Sequence, residues 1–439
     1  MYKKSPLFIA ILLTAFTMYA QPGKLVKQMA YADSGRLVTI FKDLHQHPEL
    51  AFQEVRTAGI VAQALQTLGY QVITGIAKTG VVGILKNGSG PTVMFRADMD
   101  CNPVKEITGL PYASSKTMLN ADSLEVPVMH ACGHDAHITW MLGIAKIMAT
   151  IKKDWKGTLV FVAQPAEEIG AGAKAMIADN MYGKGVPVPD FLFGMHTVPL
   201  PVGKVDNAVG VRMAGTDQLD VHFFGTGGHG ASPEFTKDPI VMGSNAVLQY
   251  QTIVSRNIAA QEVAVLTVGE FNSGNSNNVI PSAALLKLNL RWFNDDTRNK
   301  LLDGIKHINE GIAVANNLPK EMYPTIKIKT TAYPLVNDKT LVDRVNGALR
   351  TVVPQENIIT NRPAFMPSED FQYLVFDHKK AVYDYAFVGI ANAATVAKAN
   401  KEGKQYPFFN HNGNFEVDLA AIPLGTEVGA IALLELFKQ

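Results

Sequence analysis

Residues 158–196 read TLVFVAQPAEEIGAGAKAMIADNMYGKGVPVPDFLFGMH. The runs 158–163 and 191–196 are short, rich in Val, Leu and Phe, and bounded by Gly and Pro, so both read as buried strands. Residues 171–180 between them read as a helix. The same alternation extends outward: strands are predicted at 72–74, 80–85 and 92–96, then a helix at 136–151. Upstream, between residues 28 and 69, Ala58, Val61, Ala62, Leu65 and Leu68 recur at helical spacing. Strands alternating with helices predict an α/β layer with a mostly parallel sheet.

Near Met213 the texture changes. Strand 219–224, helix 239–254, strands 263–270 and 284–293 and helix 297–316 make a two-layer β-α-β-β-α unit close to the ferredoxin-like pattern. Helices at 341–353 and 420–437 and a strand near 386–390 follow. The predicted architecture is an α/β domain, residues 21–212 and 329–439, interrupted by an inserted α+β domain, residues 213–328.

A chain of 439 residues, 47% hydrophobic and 18% charged, is an ordinary globular protein of two or three domains. Forty basic residues against 39 acidic ones, with no long basic run, argue against nucleic acid and anionic membrane as partners. Lys3 and Lys4 precede an apolar run from Leu7 to Phe16, which closes at Ala20 before Gln21-Pro22. That layout predicts a signal peptide over residues 1–20 and an exported, periplasmic or secreted protein. No later stretch is apolar for about eighteen residues, so no membrane association is expected after its removal. Cys101 and Cys132 are the only cysteines. In an oxidising compartment they could form a disulfide, but Cys132 stands where a thiolate ligand is expected.

Met129-His130-Ala131-Cys132-Gly133-His134-Asp135-Ala136-His137 is the densest chemical cluster. Thiolate and imidazole are the donors that zinc and similar ions prefer. Cys132 and His134, two apart in a loop, could reach one ion, with Asp135 orienting a ligand imidazole. Glu167-Glu168 follows directly on an apolar strand, a pattern that suits one metal-binding carboxylate beside one free to take a proton from water. Adjacent charges should raise the pKa of one of the two. His196 ends a predicted strand, and His411 lies in the polar loop Asn410-His411-Asn412-Gly413-Asn414. Asp98, Glu167, Glu168 and His196 all fall at or just past the carboxyl ends of predicted strands, the edge where open α/β sheets build sites. Gly225-Thr226-Gly227-Gly228-His229-Gly230 formally satisfies GxGxxG, but Pro233 breaks the helix a dinucleotide site needs.

Several further segments complete a recognisable series: Leu44 to Leu50, Phe95 to Asp100, Gly194-Met195-His196, Gly227 to Pro233, Asn278-Val279-Ile280-Pro281 and Ser368-Glu369-Asp370-Phe371. In this order the chain resembles the aminoacylase/carboxypeptidase family of metallopeptidases. The resembled branch is that of hippurate hydrolases, N-acyl-amino-acid amidohydrolases and auxin-conjugate hydrolases. The resemblance implies two divalent metal ions per chain (zinc, manganese, cobalt or nickel) held by Cys132, His134, Glu168, His196 and His411. It implies Glu167 as general base, with a metal-activated water cutting the amide of an N-acyl amino acid. It implies His229 as the oxyanion-stabilising histidine, delivered to the partner subunit's site in a homodimer by an inserted domain that serves as lid and dimerisation unit. Asn278 and Arg291 would hold the substrate, Arg291 by its carboxylate. Asp98 and Asp100 would support the ligands without binding metal. A dipeptidase or carboxypeptidase acting on short peptides, and a non-catalytic metal-containing binding protein, are the alternative readings.

Overall fold

The strands Gly157–Gln164 and Phe191–Pro201 lie on either side of Thr92–Asp98, parallel to it, in the middle of an eight-stranded sheet. The computed structural model describes residues 22–438, so the expected export segment, residues 1–20, lies outside the described residues. Strand order is Gln71–Ile76, Gly80–Asn87, Gly157–Gln164, Thr92–Asp98, Phe191–Pro201, Val382–Ala391, Val205–Asp206, Ile358–Ile359. The four central strands run parallel, and the hairpin Gln71–Ile76/Gly80–Asn87 adds an antiparallel edge.

Side chains along a strand point alternately to the two faces. Val93, Phe95 and Ala97 with Leu159, Phe161 and Ala163 therefore enter one core, while Met94, Val160 and Val162 enter the other. Burial on both faces is why these strands read as unbroken apolar runs. Against the first face pack the helices His134–Thr150 and Ala421–Leu436, both almost wholly buried. They approach so closely that a Cβ on Gly425 would meet Trp140 at 2.2 Å. Among the described residues no helix is long and apolar enough to cross a membrane.

The second unit is a four-stranded antiparallel sheet in the order Ala264–Ser273, Ala283–Trp292, Gly215–Phe224, Thr325–Ala332. The helices Pro239–Thr252 and Asp295–Ala315 bury Leu219, Val221, Phe223, Leu286, Leu288 and Leu290 on one face. The other face carries Thr216, Gln218 and Arg291, and these line a pocket shared with the large domain.

Two expectations need correction, the domain boundary and the end of the His196 strand, and two other regions gain detail. The strand Thr325–Ala332 belongs to the small sheet, so that unit crosses the boundary expected at 328/329 and completes a β-α-β-β-α-β order. The helical region upstream is three helices, Pro22–Ala32, Ser34–Gln46 and Val55–Thr67. His196 does not end its strand, which continues to Pro201 beside Val382–Ala391. Residues 117–127 form a small hairpin, Thr117–Leu119 with Glu125–Pro127.

Candidate metal centre

The helix His134–Thr150 starts at the carboxyl edge of the sheet, and Gly133 makes that start possible. Its φ of +85° is left-handed, and a Cβ there would meet Thr197 Oγ1 at 2.6 Å. The tight turn aims Cys132 and His134 at one point. His196 arrives from the neighbouring strand with Nε2 3.5 Å from Cys132 Sγ. Glu168 comes from the loop after Gly157–Gln164, and His411 from the far end of the chain with Nε2 3.1 Å from Glu168 Oε2. All five expected ligands therefore converge. Cys132 belongs to two donor groups, one with His134 and His196, the other with Glu168 and His411.

The donor atoms fit a divalent cation. His134 Nδ1 donates to the Asp100 carbonyl at 2.8 Å, which leaves Nε2 with its lone pair. That Nε2 and Glu168 Oε1 are both buried without a hydrogen-bond partner, and they face each other at 3.7 Å. Two orphaned donors at that spacing suit ligands around one ion at about 2 Å from each. His196 Nδ1 likewise donates to the Thr197 carbonyl at 2.7 Å, freeing its Nε2.

The electrostatics agree. Burial and the Glu168 charge push the Cys132 thiol up, but His196 and His134 outweigh them and bring it down to about 6. Hydrogen bonds donated to Cys132 and Glu168 raise His411 to about 10. Burial disfavours charge on His134, yet Asp98, Asp100 and Cys132 hold it well above the imidazole range. An anionic nest that keeps protons on its imidazoles would exchange them for a metal ion.

Glu167 lines the same pocket beside the ligands. Burial first, then the Glu369, Glu168 and Asp370 carboxylates, hold its carboxyl well above the usual range. The turn that presents both glutamates is pinned from below. Asp100 accepts the Glu167 and Glu168 N–H groups at 3.0 Å each, and Glu54 accepts that of Ala166 at 2.9 Å. Ala166 has a φ of +53° and His411 one of +64°, left-handed conformations that need such support in a residue with a Cβ.

Asp98 supports the site and does not face it alone. Oδ1 is 2.5 Å from His137 Nδ1 and Oδ2 accepts from Arg96 at 2.6 Å. Asp135, expected to orient a ligand imidazole, meets none; it pairs with His45 at 2.6 Å, and the Asp100 carbonyl orients His134 in its place. Sequence reasoning missed Glu54 and the Arg96–Glu369–Asp370 network, where Arg96 donates to Glu369 at 2.9 Å and to Asp370 at 3.0 Å. Cys101 and Cys132 are both free and buried.

Arg291 lines the pocket with neutral partners only, donating to Asn289 Oδ1 at 2.9 Å and to Ser368 Oγ at 2.7 Å. His229 and Asn278 do not reach it. They lie together on the small unit, where His229 pairs in register with Val279 and the Gly230 N–H donates to the Asn278 carbonyl at 2.8 Å. Both are exposed.

Residues 94–404 match the family described as Peptidase family M20/M25/M40. The chain is 38% identical to hippurate hydrolase of Campylobacter jejuni, over 80% of this chain and 88% of that protein. It is 35% identical to N-acetyl-L-cysteine deacetylase of Bacillus subtilis, over 77% of each. In three dimensions it matches a dinuclear metal-binding peptidase of the M20 family from Bacillus subtilis with a TM-score of 0.74 and 26% identity. That match covers 93% of this chain and 99% of the other. With the ligand geometry above, these likenesses make the chain a metal-dependent amidohydrolase, and it belongs to peptidase family M20/M25/M40.

Proposed function

We propose that the protein hydrolyses the amide bond of N-acyl amino acids. The observation that carries this reading is a single pocket of about 540 Å³ lined by Cys132, Glu167, Glu168, His196 and His411 together with Arg291. Hydrolytic machinery and a guanidinium with no carboxylate of its own share one cavity, as an N-acylated amino acid with a free carboxylate requires. Such a substrate is named for the hippurate hydrolase and the deacetylase relatives.

Two divalent ions held by the five ligands would supply Lewis acidity and a more acidic water. The chain's own groups do the rest. Glu167, with its raised pKa, accepts the proton of the attacking water and returns it to the leaving nitrogen. Arg291 holds the substrate carboxylate with its two-pronged fork, and Ser368 and Asn289 fix the orientation of that fork.

His229 would stabilise the oxyanion from a second copy of the chain, with Asn278 beside it. Its exposure and its absence from this chain's own pocket lining favour delivery in trans. The edge strand Ala264–Ser273 offers a surface for such a dimer. Val263, Val265 and Phe271 on or beside it, with Val241 and Leu248 on the adjoining helix, are all exposed. Export through residues 1–20 completes the reading. The test is hydrolysis of N-acyl amino acids and dipeptides before and after chelation, with metal content measured on the same sample. Chelator-sensitive release of amino acid from acylated substrates supports it. Cleavage of dipeptides alone would make the protein an exopeptidase.

A further inference from the structure

A second guanidinium, Arg362, lines the pocket and is not absorbed by the reading above. It donates to the Tyr406 hydroxyl and lies over the rings of Phe365 and Tyr406, 4.6 and 5.4 Å from their centroids. Its side chain is only 13% exposed. The nearest carboxylate oxygen, Asp206 Oδ2, forms an ion pair with Nη1 at 3.8 Å, too long for a hydrogen bond, and both atoms are buried without a hydrogen-bond partner. The other oxygen of Asp206 is held by the buried Arg212 at 2.8 Å. One carboxylate thus serves two guanidinium groups. Asp384, the remaining acid near Arg212, is raised by burial to about 7 and is occupied by Asn207. Positive charge is left over on the pocket wall at Arg362. The two rings already fix the plane of this guanidinium, so little side-chain freedom is lost when it meets an anion.

We propose that Arg362 is a second anion-binding point, and that the substrates are N-acyl amino acids carrying a carboxylate beyond the one assigned to Arg291. This rests on the hydrolase reading of the metal centre and of Arg291. The extra carboxylate sits either on the amino-acid side chain, as in an acylated glutamate, or on the acyl group, as in a succinyl amide. Both present the same oxygens to the fork.

The test uses matched pairs with the metal-loaded, full-length mature protein. N-acetylglutamate is compared with N-acetylglutamine, and N-succinylalanine with N-succinamoylalanine. In one pair the acid should be favoured by at least about tenfold in kcat/KM, the worth of one charge-assisted contact, and that pair identifies where the carboxylate lies. Arg362→Met should collapse the ratio to near one, and Arg362→Lys should keep part of it. Ratios near one in the wild type overturn the proposal, as does a ratio that survives in Arg362→Met. A proportional loss on both members of a pair would make Arg362 a structural residue. A preference for aromatic acyl groups that the variant abolishes would make it a stacking surface. If none of the four compounds is cleaved, the hydrolase reading has failed. Calorimetric binding of the same four compounds to wild type and variant then decides for or against Arg362 by the same ratio. Should Arg362→Met not fold, Arg362→Gln is read in its place.

Discussion

Asp98 Oδ1 lies 2.5 Å from His137 Nδ1, and the Thr197 N–H donates to His137 Nε2 at 2.9 Å. Both ring nitrogens of His137 are spent inside the protein, although Asp98, His134 and His137 sit close enough together to suggest a metal site. Burial lowers His137 to about 4, so the ring is neutral, donating at Nδ1 and accepting at Nε2. Its role is to join Asp98 to Thr197, the strand residue next to the expected ligand His196.

His137→Ala should therefore weaken metal binding indirectly, by about 10–100-fold, the usual effect of removing a residue that orients a ligand. His134→Ala, which deletes a donor atom, should lose the metal outright. Titration of the metal-free proteins with zinc measures both. Equal losses in the two variants would add His137 to the ligand set.

Glu167 and Glu168 are neighbours with different surroundings. Glu168 meets His411 at 3.1 Å and His134 at 3.7 Å, whereas Glu167 is pressed by burial and by Glu369. Glu167→Gln keeps shape and removes the base, so turnover should fall by about 10²–10⁴-fold with metal content unchanged. Glu168→Gln should lower metal content and turnover together. Turnover that survives in Glu167→Gln removes this residue from the role of base.

If His229 serves the partner's site, two dead variants can repair each other. In a mixed dimer of Glu167→Ala and His229→Ala chains, one of the two sites keeps an intact Glu167 and receives an intact His229. After refolding in equal amounts, roughly a quarter of wild-type activity should return, since half the dimers are mixed and each has one whole site. Mixing without recovery, in a preparation shown to exchange subunits, would place His229 outside the partner's site.

The residues that carry the chemistry were legible because their types are rare and concentrated: a thiol and three imidazoles within residues 129–137, and a glutamate pair after an apolar strand. What supports them was not. Glu54 reaches Ala166 across 112 positions, and Arg96 reaches Glu369 across 273, separations at which no local pattern survives. The strand Thr325–Ala332 escaped notice for a different reason. It is a sheet edge, and Lys327, Lys329 and their neighbours are mostly exposed, so it lacks the apolar run that marked the central strands. Asp135 was expected to orient a ligand imidazole, whereas the fold gives it His45, from ninety positions away and outside the ligand cluster.

His45 supplies the last prediction. Its Nδ1 is 2.6 Å from Asp135 and its Nε2 3.2 Å from Glu106, all three side chains being buried. Burial alone would lower its pKa, but its bonds and charges with Asp135 and Glu106 raise it from 6.5 to about 10. A proton held more tightly in the folded chain than in the unfolded one stabilises the fold in full below about pH 6.5. That contribution is lost as pH rises through about 10. Wild-type stability should accordingly decline across this window, and His45→Phe should flatten the decline. The same substitution should cost about 3–5 kcal/mol near neutrality, because it leaves two buried carboxylates without their cation. The loss would reach the metal centre, since the segment holding Glu106 also binds the Gly413 carbonyl through the Ile107 N–H at 2.8 Å, two residues beyond His411. Urea unfolding of both proteins from pH 6 to pH 10.5 measures the effect. Parallel slopes would mean that another group carries the pH dependence and that the His45 proton is not bound more tightly on folding.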